Sequence, residues 1–120
     1  MALLAQLGLY VLAGLLVAAG ISHFLRPGFY TRMLPLWLPA HKFLVALSGG
    51  IEIILGLALL YPPTQVIAAW ATIAMLTSFL IVHFYMVSDR EAGLGLPKWA
   101  LWLRILLQFV LMGWVFLYTQ

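Results

Sequence analysis

Long apolar runs, broken only by short polar or proline-rich punctuation, dominate this chain. A helix needs about 20 apolar residues to cross roughly 30 Å of hydrocarbon at about 1.5 Å per residue, and four segments meet that need. They cover residues 3–24, 40–60, 64–87 and 97–118. Pro62 and Pro63 split the long uncharged stretch between the second and third segments, because proline cannot continue the preceding helix. The linker RPGFYTRMLPLWLP carries three prolines among aromatic and basic residues, and reads as an interfacial segment with a short amphipathic turn or helix. With connections this short, the expected fold is an all-α membrane protein: one antiparallel four-transmembrane-helix bundle over residues 1–120.

Composition supports a chain that lives in lipid. It is 66% hydrophobic and 8% charged, with a mean hydropathy of +1.13, too little polar surface to clothe a water-soluble domain of 120 residues. The first apolar run reads as a span and not a signal peptide, since no basic region precedes it and no polar domain follows. A net charge of +3 does not indicate nucleic acid, because the six Lys and Arg stand singly beside apolar spans. They act as topology signals. Arg26, Arg32 and Lys42 flank the first linker, and Arg90 and Lys98 the third, while the 61–65 turn and both tails lack Lys and Arg. The positive-inside rule then places the protein in the cell (inner) membrane with both termini non-cytoplasmic. Tyr61, Trp114 and Tyr118 mark the outer interface and Trp37, Tyr85 and Trp99 the inner one, where belt anchoring accounts for most of them.

Glu52 stands out against this background. It interrupts the apolar run LVALSGGIEIILGLALL, where an unpaired charge costs about 2.5 kcal/mol or more. Helical rise places Glu52 roughly 18 Å and Gln108 roughly 16 Å from the cytoplasmic ends of their spans, with Arg104 about 10 Å deep. Residues four apart share a helix face, so Ser48, Glu52 and Gly56 form one stripe and Arg104 with Gln108 another. The two stripes are expected to face each other, with Ala46, Gly49 and Gly50 letting a neighbouring backbone approach around Glu52. In the ordinary reading, Glu52 and Arg104 form an ion pair, hydrogen-bonded by Gln108 and Ser48, that only fixes helix packing. In the sharper one they line a polar cavity where Arg104 holds a carbonyl or anion and Glu52 exchanges a proton.

His23 and His83 lie near the cytoplasmic helix ends, each followed by Phe and then a basic loop, a faint internal repeat. Both can approach Arg104, and interfacial hydrogen bonding is their ordinary role. Haem ligands usually lie deeper in a bundle, and a metal on His23, His83 and Glu52 would need all three within about 2.2 Å of one ion despite their different depths. No metal site is therefore expected. His41 reads as a solvated interfacial residue, and Asp89, Arg90 and Glu91 as a solvated loop. The absence of cysteine removes disulfides, thiolate nucleophiles and iron–sulfur ligation.

GISHFLRPGFY in the first span, LSGGIEIILGLALL in the second, VHF in the third and LRILLQ in the fourth give the chain a pattern that resembles the DoxX-like family. The resemblance extends over nearly the whole length. It implies a small four-helix membrane protein associated with membrane redox complexes, and a quinone as ligand. A quinone needs donors for two carbonyls, which Arg104, Gln108 and His83 could supply, and a proton relay, which Glu52 could supply. With no flavin, haem or cysteine motif, the chain has no intrinsic cofactor, and a redox role requires a partner subunit. The expected function is thus an accessory or quinone/lipophile-binding subunit. Three alternatives stay open: a small proton-coupled transporter, a membrane enzyme using Glu52 as acid or base on a lipophile, and a structural scaffold. A homodimer through small-residue faces such as Ala46 and Gly50 is a further expectation.

Overall fold

The computed structural model describes residues 2–35, 37–88 and 95–120, and every regular element among them is helical. Helix α1 covers Ala2–Leu25, α2 Pro27–Thr31, α3 His41–Leu60, α4 Gln65–Ser88 and α5 Lys98–Phe116. Single 3₁₀ turns at Pro62–Thr64 and Leu117–Thr119 lead into α4 and extend α5. All four long helices end within two residues of the expected bounds, and each, with its adjoining turn, is long and apolar enough to cross a membrane. The expected loop at Asp89, Arg90 and Glu91 lies outside the described residues, as does the topology signal at Arg90.

Proline sets the breaks. Pro27 forces Arg26 out of the helical region, to φ −133° and ψ 60°, and then starts α2 as its first residue. Tyr61 is likewise extended before Pro62, at φ −94° and ψ 110°. There Ala58 O accepts from Tyr61 N at 3.3 Å and from Thr64 Oγ1 at 2.7 Å, the hydroxyl standing in for the N–H that Pro62 lacks. The linker returns to helix through Ala40, which adopts the left-handed conformation at φ 50°.

Small residues bring α1 and α3 together backbone to backbone. A Cβ at Gly20 would lie 2.5 Å from Gly49 O, and one at Gly56 2.9 Å from Ala13 O. Gly49 and Gly56 share a face with Glu52, so this contact turns the Glu52 face toward α1. Gly50 does not take part: a Cβ there would meet nothing within 4 Å. Helix α5 packs on α4 instead.

Two apolar clusters hold the elements together. The larger joins all four long helices through Leu12, Leu16, Leu59, Ala69, Leu76 and Val115. The smaller joins the linker to α4 and α5 through Met33, Met86 and Leu101. Outward positions such as Ile54, Ile67 and Leu106 are more than half exposed and apolar. Tyr118 is buried in the larger cluster and donates to Ala5 O at 2.8 Å, tying the end of the chain to α1. Trp37, Trp99 and Tyr61 stand exposed near helix ends, as interfacial anchors do.

Candidate functional site

Glu52 is buried, with 5% of its surface exposed, and its partner is not the one expected. Oε2 lies 3.2 Å from Nδ1 of His23 on α1, close enough to pair but out of line for a hydrogen bond. Among the described residues no ion pair joins Glu52 to Arg104. The glycine contact explains the difference: it presses the Glu52 face against α1, while α4 takes the inward face of α5. Gln108 follows α5, and its buried amide donates to Leu76 O of α4 at 2.8 Å. It therefore secures α5 to α4 and does not reach Glu52.

Ser48 completes the group. Its hydroxyl donates to Val45 O at 3.0 Å, which leaves the oxygen to accept from His23 Nδ1 at 3.2 Å. Ser48, His23 and Glu52 are the residue types of a hydrolytic triad, yet both oxygens address the same ring nitrogen. A nucleophile must meet the nitrogen opposite the carboxylate, so this is a hydrogen-bonded cluster and not a triad. A glutamic acid beside neutral histidine and a glutamate beside imidazolium carry the same net charge. The pair is therefore neutral overall in either form.

Sequence alone does not mark Tyr30 as part of the site. The short helix begun by Pro27 carries Tyr30 back over the end of α1, where its ring meets His23 edge to face with centroids 4.0 Å apart. Its hydroxyl bonds Ser22 Oγ. The available signal was the Pro-Gly turn four residues after His23, which fixes where the linker folds back.

Between the two apolar clusters lies a cavity of about 450 Å³, within the range of small-molecule sites. His23, Ser48, His83 and Arg104, expected from sequence, line it with Tyr30, on walls otherwise built from apolar side chains such as Met75, Phe79 and Val82. Glu52 stands behind His23 and does not line it. Leu47, Ile51 and Ser78 belong to the same wall and are exposed, so the cavity opens at the surface between α3 and α4. Among the described residues His83 Nδ1 is shielded and has no hydrogen-bond partner, although the Gln108 side chain stands near the ring. Among the described residues, Arg104 Nη1 donates to Met86 Sδ, at 3.6 Å, a weak acceptor. His41, expected to be solvated, is partly buried and donates from Nε2 to Pro35 O at 2.9 Å. Among the described residues no cluster of three or more His, Asp or Glu could hold a metal ion.

Residues 12–119 match the model of a family described as a domain of unknown function, DUF8561. The chain belongs to that family. The DUF8561 match takes in every residue of the site, from His23 to Gln108. No curated protein and no solved structure matches the chain significantly.

Proposed function

We propose that this protein is a membrane-embedded receptor for a lipophilic molecule whose polar head sits against His83 and Arg104. In this reading the four long helices form an antiparallel bundle across the membrane, with both termini on the non-cytoplasmic side. The alternating contacts of Gly20 with Gly49 and of Ala13 with Gly56 support opposed directions for α1 and α3. The observation that carries the reading is the unsatisfied polar wall. Among the described residues, a buried His83 Nδ1 without a hydrogen-bond partner and a guanidinium whose Nη1 donates to sulfur face a largely apolar cavity that opens sideways, toward the lipid of the proposed bilayer.

The DoxX-like resemblance adds a quinone as the ligand class and an electron-delivering partner subunit as its company. Glu52 then serves as a proton store one imidazole removed from the cavity, through His23, and Ser48 and Gln108 position the walls. The scaffold reading is favoured for one part of the site, because His23 and Ser48 bond each other and Glu52 packs 3.2 Å from the same imidazole without lining the cavity. A proton-coupled transporter would use the same pair as its titrating element.

The test is equilibrium binding of a short-tailed ubiquinone analogue to the purified protein in nanodiscs. Arg104→Gln and His83→Leu are each expected to weaken binding at least about tenfold while the helical content stays unchanged. Glu52→Gln, outside the cavity wall, should leave affinity within about threefold of the parent. Binding by the parent protein that survives both cavity variants would discard the site.

A further inference from the structure

We infer that the ligand's head is an anion, held by Arg104, with its tail leaving between α3 and α4. This rests on the reading that the cavity takes a lipophile, and narrows it. Three nitrogen bases face the space, Arg104, His83 and His23, together with the hydroxyls of Tyr30, Ser48 and Ser78. No carboxylate lines it among the described residues, since Glu52 is turned to the far side of His23. The wall thus offers donors and positive charge with nothing of opposite sign.

The guanidinium is committed to this space. A lone arginine about one and a half turns into a span can usually extend to headgroup water. Here Nη1 is bonded to the thioether of Met86, a residue only 1% exposed in the cluster that closes the linker end. The charged group therefore points inward. Sulfur is a weak acceptor for a charged donor, and an anion supplies charge-assisted bonds in a geometry that a neutral carbonyl matches only in part. His83 stands beside the guanidinium as a second donor for the same head. The apolar side chains of Leu47 and Ile51 at the mouth suit an alkyl tail.

A carboxylate amphiphile and the phosphate of an acidic bilayer lipid share this chemistry. The experiment uses the full chain in nanodiscs of zwitterionic lipid and compares dodecanoate, dodecanol and dodecyltrimethylammonium, which share one tail, at a pH where the acid is ionised. Dodecanoate should bind at least about tenfold more tightly than dodecanol, and the cationic tail most weakly. Arg104→Gln should bring the acid to the level of the alcohol, and Arg104→Lys should retain part of the preference. Competition by added phosphatidylglycerol would identify a bilayer lipid as the occupant, and lack of competition a free acid. If dodecanol equals dodecanoate on the parent protein, the anion assignment is wrong while the cavity stands. If no tail-bearing probe binds, the cavity reading falls and the assignment with it. The comparison on the parent protein needs no variant to fold.

Discussion

Replacing Gly20 by alanine tests the contact that organises the site. The added Cβ would lie 2.5 Å from Gly49 O, 2.7 Å from Ile53 Cγ1 and 3.1 Å from Ile53 N. The isoleucine side chain can rotate away, but the carbonyl belongs to the backbone of α3. To reach the 3.4 Å at which ordinary contact begins, α1 and α3 must separate locally by about 0.9 Å. Overpacking of this kind costs about 1–3 kcal/mol, set against a gain of about 0.8–1.0 kcal/mol for removing glycine from a helix. Gly50→Ala is the matched control, since it receives the same gain and its Cβ meets nothing within 4 Å. The difference between the two variants therefore isolates the clash, at about 1–3 kcal/mol in favour of Gly50→Ala. Reversible denaturation of both variants in one detergent measures it. Stabilities within about 0.5 kcal/mol of each other would refute the backbone contact, and with it the reason given for Glu52 facing α1. A second readout is the His23 imidazole resonance, which should move in Gly20→Ala and stay in place in Gly50→Ala.

Double-mutant cycles distinguish the partners of Glu52. Coupling between Glu52→Gln and His23→Gln should reach about 0.5–3 kcal/mol, whereas Glu52→Gln and Arg104→Gln should be additive within about 0.5 kcal/mol; the reverse order in unfolding measurements would restore the expected Glu52–Arg104 pair. Tyr118→Phe should lower stability by about 0.5–1.5 kcal/mol through loss of the bond to Ala5 O, and an unchanged denaturation midpoint would place that hydroxyl in solvent. Because the chain has no cysteine, single replacements report sidedness directly. Gln120→Cys should react with an impermeant maleimide from the non-cytoplasmic side of intact cells and Lys98→Cys should not; labelling of Lys98→Cys alone would invert the orientation.

Hydropathy alone located the four long apolar helices, because length and apolar content are all that such a segment must show. Proline placement located the breaks for a similar reason: Pro27 and Pro62 act on their own neighbours and need no tertiary context. The site was legible residue by residue but not pair by pair. Rise along a helix gives the depth of Glu52, Gln108 and Arg104, and that depth is nearly independent of how the helices are rotated. Choosing the partner depends on rotation and adjacency, which among four apolar helices are fixed by small-residue contacts such as Gly20 with Gly49. The sequence shows Gly49 and Gly50 as equals, and only the packing separates the one that touches α1 from the one that faces outward. Tyr30 was hidden for a related reason. A linker's aromatic looks like an interfacial anchor until the fold-back at Pro27 brings it over His23.

The two sides of the chamber differ in stiffness. On one side, main chain rests on main chain, so the two helices that carry the imidazole and its acid cannot approach or shift there by changing rotamers. On the other, Met33 lines the cavity and Met86 accepts from the guanidinium, both unbranched thioethers that re-pack at little cost. In the proposed receptor the head sits on the compliant side, where Arg104 bonds Met86, and the tail leaves past α3 on the rigid one, so heads of different size should be accommodated more readily than branched tails.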